Sequence, residues 1–241
     1  SIGSHRAVTF VLALTLLIGV FVIPVVTGEP AVQQSEPEPE TDNTVTRINI
    51  YQNGSAHWTV RIRTRLSTDQ QAREYAAFQD HFRENTKTYL GSFRTRIQGV
   101  VRNAKNATDR QMQATGFTAS TSIQQVPRRW GVVTYEFTWI NLATQQSTQW
   151  IVGDIFQGGF FLANNDSLQV IAPDGYKITN VAPDSDRQDA NVVTWNGRED
   201  FPDAHPRIVF SPSSGPESGQ TNESSLTATE KTDTAVNSSL D

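Results

Sequence analysis

Apolar residues run almost unbroken from Ala7 to Val26 (AVTFVLALTLLIGVFVIPVV), taking in Leu12, Leu16 and Phe21 and carrying no charge. A helix needs about 20 such residues to cross the hydrocarbon core, whereas the apolar part of a secretory leader needs only about 7–15. The run fits a membrane anchor and also fits a long leader cut after Gly28. In either case the basic flank, His5 and Arg6, stays on the cytoplasmic side and everything after Val26 is exported. A soluble buried helix would keep a polar stripe, and this run has none. The expected address is the outer side of the cell membrane, with the lipid bilayer as partner, or the medium if the segment is removed.

Behind it the pattern changes twice. Glu29–Asn43 (EPAVQQSEPEPETDN) is acidic and proline-rich with almost nothing apolar, and too little surface can be buried there to offset the entropy of ordering it. It reads as a stalk. From Thr44 the period is two. Ile48 and Ile50 alternate with polar residues, Asn53-Gly54 offers a type I′ hairpin turn, and Trp58, Val60, Ile62 and Leu66 return on one face. His57, Arg61, Arg63 and Arg65 fall on the other face, which makes this a half-buried antiparallel strand.

The period then lengthens to three and four. Ser67 or Thr68 caps a helix whose stripe is Ala72, Tyr75, Phe78 and Phe82. A second stripe restarts after Asn85-Thr86 with Leu90, Phe93, Ile97, Val101 and Ala104. Two helices are expected, over Thr68–Glu84 and Lys87–Ala107, with one long kinked helix as the alternative. Gly91 and Gly99 each weaken the second by about 1 kcal/mol, so its apolar face must be packed, against the dry face of the sheet. From Gln113 strand patterns resume: Gln113–Val126, Gly131–Leu142, Gln149–Phe156, Gly159–Leu162, Leu168–Ile171, Tyr176–Val181, Asn191–Trp195 and Arg207–Phe210. Pro127-Arg128-Arg129, Asn164-Asn165-Asp166 and Pro173-Asp174-Gly175 supply turns. Ser213–Asp241 has no apolar period and reads as a disordered Ser/Thr-rich tail or linker. The organisation is therefore 1–28 leader or anchor, 29–43 stalk, 44–212 domain and 213–241 tail.

Composition sharpens this picture in two respects. The chain has no cysteine, which removes disulfides, thiolate metal sites and cysteine nucleophiles. Its net charge of −5 is unevenly spread: eleven Lys/Arg face five Asp/Glu between His57 and Arg110, and five face fourteen between Asp154 and Asp241. These are solvated faces of opposite sign, and the basic one also suits an anionic polymer or lipid surface. Sixteen of the twenty basic residues are arginine, a bias found in proteins of salt-loving archaea.

Candidate chemistry is sparse. His57, His81 and His205 lie far apart and carry no metal-ligand spacing; no nucleophile elbow, dinucleotide fingerprint or Walker loop occurs. Gly153 and Gly158-Gly159 sit within strand pattern and read as a bulge. Asp184, Asp186 and Asp189 alternate as calcium ligands do, but the glycine and glutamate of an EF-hand loop are missing and Arg187 intrudes, so no metal is assigned. Trp58, Trp130, Trp139, Trp150 and Trp195, with Phe137, Phe156, Phe160 and Phe161, fall in strands, where core packing outweighs a carbohydrate platform. The Arg61, Arg63, Arg65 row lacks interleaved aromatics, which argues against nucleic acid. Five Asn-x-Ser/Thr sequons, at Asn53, Asn106, Asn165, Asn222 and Asn237, fall at turns, a helix end or the tail and are candidate glycan sites.

Certain runs also resemble a family. Tyr51-Gln-Asn-Gly-Ser-Ala-His-Trp58, Asn106-Ala-Thr-Asp-Arg110, Trp130-Gly-Val-Val-Thr-Tyr-Glu-Phe-Thr-Trp139, Gly153-Asp154, Gly159-Phe-Phe-Leu162, Pro173-Asp-Gly-Tyr176, Trp195-Asn-Gly197 and Asp200-Phe201 are similar to an uncharacterised haloarchaeal ectodomain family. The resemblance covers Thr44–Pro212. It implies a domain placed between a signal sequence and a transmembrane helix followed by a cytoplasmic winged helix-turn-helix, and it brings no activity or site residues. Neither of those later segments precedes Asp241, so a regulatory role depends on them.

The expected fold is α+β: a largely antiparallel sheet with the helices of residues 68–107 on one face, so that Phe78, Phe82, Phe93 and Ile97 meet Trp58, Val60 or Ile62, preceded by an N-terminal apolar helix. The expected function is a non-catalytic, membrane-tethered domain that binds or senses an extracellular ligand or protein, without a cofactor. The alternatives are a subunit of a surface filament or layer that associates through Ala7–Val26, and a surface hydrolase using facing carboxylates such as Asp154 and Asp200. Association of like copies stays open in all three.

Overall fold

A computed structural model describes residues 39–213; the apolar segment Ala7–Val26, most of the stalk and the tail with Asn222 and Asn237 lie outside the described residues. The strands are β1 (Asn43–Ile50), β2 (Ala56–Arg65), β3 (Gln113–Gln124), β4 (Trp130–Ile140), β5 (Thr144–Gln146), β6 (Gln149–Val152), β7 (Phe160–Leu162), β8 (Ser167–Ile171), β9 (Tyr176–Ala182), β10 (Arg187–Gln188), β11 (Val192–Asn196), β12 (Glu199–Phe201) and β13 (Arg207–Pro212). Helices α1 (Asp69–Glu84) and α2 (Thr86–Thr108) stand between β2 and β3. Among the described residues no helix is long and apolar enough to cross a membrane.

The fold is α+β, but the strands form three sheets rather than one. A seven-stranded sheet runs β10-β11-β8-β1-β2-β4-β3, a four-stranded sheet β5-β6-β13-β9, and β12 pairs with β7. Pairing is antiparallel except where β1 meets β8 in parallel, Ile48 opposite Val170. That pairing joins segments more than a hundred residues apart, which no local pattern announces.

The β1–β2 hairpin forms as expected, but its turn does not. Gly54 alone has positive φ (+76°) there. Tyr51 N–H bonds Ser55 O at 2.8 Å and Gly54 N–H bonds Tyr51 O at 3.0 Å, the geometry of a three-residue loop closed by a left-handed glycine. Asn53 instead uses its side chain, accepting from Ser55 N–H at 3.0 Å, and so stays out of the left-handed region.

Helix α1 starts where the residues predict. The Thr68 hydroxyl takes the Gln71 N–H at 3.1 Å and the Gln71 side chain returns to Thr68 N–H at 3.0 Å, a complete capping box. Its buried stripe is Tyr75, Phe78 and Phe82. In α2 the stripe begins one residue earlier than expected, at Tyr89 rather than Leu90, and continues through Phe93, Ile97, Val101 and Ala104. Steps of four from Tyr89 keep one side chain above the next, whereas Leu90 sits about 100° round the helix and is only half-buried.

The helix layer lies over β3 and β4 more than over β2. Phe93 stacks on Tyr135 with centroids 4.4 Å apart, and Phe93 and Phe82 meet Phe137 and Tyr135 edge-on at 5.9 and 6.5 Å. Of the expected partners on β2, Trp58 and Val60 border a cavity together with Phe93 and Ile97. Gly131 on β4 is required by the packing: a Cβ there would stand 2.3 Å from the Tyr75 ring. One strand is shorter than expected. Gln149–Phe156 ends at Val152, and residues 153–159 form turns in which Gly158 and Gly159 have φ of 78° and 92°, so these glycines mark turns and not a bulge. The bulge lies instead on β3, between Thr115 and Thr118, at Gly116. The short strands β5, β10 and β12 have too few residues to show a period, and the sequence pattern does not reveal them.

Candidate functional site

The even-numbered positions of β1 and β2 and the matching residues of β4, β8 and β11 make one dry face. Thr46, Ile48 and Ile50 lie opposite Val60, Trp58 and Ala56, and these in turn lie opposite Tyr135, Phe137 and Trp139. The helices cover the β3–β4 side. Over the β8–β11 side, Trp195 meets Phe201 at 5.6 Å, and Phe201 meets Phe160 of β7 at 5.5 Å. Between the two covers, above β1 and β2, a cavity of about 340 Å³ remains.

Trp58 and Val60 form its floor, Phe93 and Ile97 of α2 one wall, and Phe160–Leu162 of β7 the other. The mouth is polar. Thr41–Thr44 enter β1 along one side, and Ala163–Asp166, the turn between β7 and β8, close the other. Asp166 accepts the Thr44 N–H at 2.6 Å and Asp42 accepts the Arg65 N–H at 2.6 Å, so the two rim carboxylates hold the backbone in place. Asn165 donates to Asp42 O at 3.3 Å across the mouth. Asn43 Oδ1 is buried and has no partner among the described residues. No Lys or Arg lines the cavity; Arg198 lies outside it, over the Phe161 ring at 5.9 Å. Ligand sites are concave, mostly apolar and fitted with a few polar groups at fixed positions, from about 300 Å³ upward. This cavity has that composition.

The residues singled out from sequence are scattered around it. Trp58, Phe160, Phe161 and Asn165 belong to the cavity. Asn53 and Asn106 are exposed, and Asn165 is exposed on the rim. Four tryptophans are buried, and the fifth, Trp130, lies under Arg63 and Arg65 at 4.4 and 5.8 Å, so no aromatic platform forms. His57 Nε2 stands 3.7 Å from Glu136, His81 Nδ1 is 3.2 Å from the Tyr89 hydroxyl, and His205 Nδ1 is 2.8 Å from Asp203 O.

Asp154 does not face Asp200. It pairs with Arg110 (Nη2–Oδ1 3.0 Å) and accepts from Thr144, while Arg110 also donates to Leu142 O at 2.7 Å. The guanidinium thus ties the end of α2 to the second sheet. Asp200 is exposed on β12, opposite Phe161, and neither carboxylate lines the cavity. In the acidic loop the Asp186 and Asp189 carboxylates are likewise occupied. Trp195 Nε1–H bonds Asp184 O at 3.2 Å, Asp186 accepts Asn196 N–H at 2.6 Å, and Asp189 pairs with Arg187 at 3.0 Å. Sequence reading missed Leu162, Asn164 and Asp166 as site residues and weighed Phe160, Phe161 and Asn165 for other roles. Their strand and turn patterns were visible, but their position over β1 follows from the parallel β1–β8 pairing.

A family model described as a domain of unknown function (DUF7345) matches residues 47–176, more than half of the chain. The match takes in the cavity floor, both walls and the Ala163–Asp166 side of the mouth. No curated protein matches the chain.

Proposed function

We propose that this chain, which belongs to the DUF7345 family of domains of unknown function, is a non-catalytic ligand-binding domain held outside the cell by Ala7–Val26. Its ligand is a small molecule with an apolar body and a hydrogen-bonding end. The apolar body lies on Trp58 and Val60 between Phe93 and Phe160, and the polar end meets the Asn and Asp residues of the mouth. One observation supports this above all: between the helix cover and the β7–β12 ribbon, Trp58 and Val60 face a space of about 340 Å³ with apolar walls and a polar mouth. The resemblance to ectodomains placed ahead of a transmembrane helix and a winged helix-turn-helix supports sensing as the use of that binding. A signal requires only that the ligand prefer one of two states.

The neutral fluorophore N-phenyl-1-naphthylamine, which brightens in apolar surroundings, tests the site in the full chain. The expected result is saturable binding, displaced by medium-chain alcohols, and at least tenfold weaker in Val60→Phe, which fills the floor. Unchanged binding in a Val60→Phe protein that melts like the wild type would overturn the proposal. Mass spectrometry of the mature protein tests the tether: a product beginning near Glu29 excludes it. The same spectra report glycans at Asn53, Asn106, Asn165, Asn222 and Asn237.

A further inference from the structure

The opposite face of the seven-stranded sheet carries a second feature, independent of the cavity. On β1 and β2, Arg47 lies opposite Thr59, Val45 opposite Arg61 and Asn43 opposite Arg63, while Arg65 lies opposite Trp130 of β4. The strand period puts Arg47, Arg61, Arg63 and Arg65 on one face, with diagonal neighbours about 7–8 Å apart. Arg47 and Arg61 are exposed and have no ion-pair partner among the described residues. Arg63 and Arg65 lie over the Trp130 ring, which braces their side chains without neutralising them. Burial, and to a lesser degree the charge of Arg61, pull the Arg63 guanidinium below its ordinary pKa. The only carboxylate among the β1, β2, β3 and β4 positions of this face is Glu136, which stands beside His57 at one end. Arg187, at the far edge, is paired with Asp189. Around the arginines the face carries Ser120, Ser122, Gln124, Thr134 and Gln169, with Val45 and Val132 between them.

We infer that this face binds a linear polysaccharide bearing carboxylate or sulfate groups. Guanidinium forks match such oxyanions in two-point hydrogen bonds, and the surrounding hydroxyls and amides suit sugar hydroxyls. A lipid surface fits less well, because interfacial binding buries apolar side chains. The two large apolar residues exposed among those described, Tyr51 and Val126, sit in the β1–β2 and β3–β4 connections instead of on this face. A nucleic acid would want a bare aromatic face for stacking, and here the Trp130 ring is covered by arginine.

The experiment measures binding of the full chain, in non-ionic detergent, to immobilised dextran sulfate, polygalacturonate and uncharged dextran. Retention on the two acidic polymers and not on dextran is expected, weakening as salt rises. The Arg47→Gln/Arg61→Gln variant is expected to bind at least tenfold more weakly, with unchanged circular dichroism and melting. Equal binding by that variant, equal binding to uncharged dextran, or no binding to either acidic polymer would each overturn the inference. So would arginine-dependent capture by phosphatidylglycerol micelles without polymer binding, which would make the face a membrane contact.

Discussion

The two halves of the dry sheet face are closed in different ways. Over β3 and β4, two helices bring down a row of rings, Tyr75, Phe78, Phe82, Tyr89 and Phe93, which stack on one another and on Tyr135 and Phe137. Over β8 and β11 the cover is a two-stranded ribbon with Phe160 and Phe201, backed by Phe156 and joined to the same core as the four-stranded sheet. A rigid helix pair and a short ribbon differ in curvature, and one twisted sheet cannot fit both closely along their common edge. The cavity lies at that edge. Its position teaches that a cavity can arise where two modes of packing meet.

Truncation at matched places should expose the contrast most strongly. Phe93→Ala removes a ring that is 1% exposed and stacked on Tyr135, and a loss of about 3–5 kcal/mol is expected. Phe160→Ala borders open space already and gives up fewer contacts, so about 2 kcal/mol is expected, with a larger cavity that still takes the fluorophore. Urea denaturation measures both, and equal losses would erase the distinction between the halves.

A second test adds an atom. Gly131→Ala drives a Cβ to 2.3 Å from the Tyr75 ring, which is held on the other side by Phe78. A loss of about 1–3 kcal/mol is expected, and much less in a Tyr75→Ala background, where the double-mutant coupling reports the clash.

The link between the halves should matter less. Asp154→Asn leaves the Arg110 guanidinium without its counter-charge while keeping its bonds to Asn141 and Leu142 carbonyls. Because the Asp154 side chain is 41% exposed, about 1 kcal/mol is expected from denaturation curves, shrinking with added salt.

The smallest effect is confined to alkaline solution. Burial pushes the Tyr75 phenol above its ordinary pKa, opposed by its bond to Thr121 at 2.9 Å. A raised folded pKa means that the unfolded chain releases its proton first, near pH 10. Stability is therefore whole below about pH 10 and falls as pH rises towards the folded value. Tyr75→Phe should flatten this part of the melting profile relative to the wild type.

Local residues by themselves determined the elements. The capping box at Thr68-x-x-Gln71, the steps of three and four from Tyr75 to Phe82, and the alternation of Trp58 and Val60 with Thr59 and Arg61 are all set within a few residues of each other. Short-range sterics and hydrogen bonds suffice there. The departures were of two kinds. Asn53-Gly54 was compatible with two turns, and the Asn53 side chain bond to Ser55 selected the one with a single positive φ. Tyr89 rather than Leu90 began the buried stripe because the Phe82 and Phe78 rings of α1 lie against it on that side. The site belongs wholly to the tertiary structure. Thr44 and Asp166, hydrogen-bonded at the mouth, are 122 residues apart, and Arg47 joins Arg61 only through the β1–β2 register. Such pairings depend on loop closure and on the summed burial of many distant side chains, quantities that no single stretch of sequence contains.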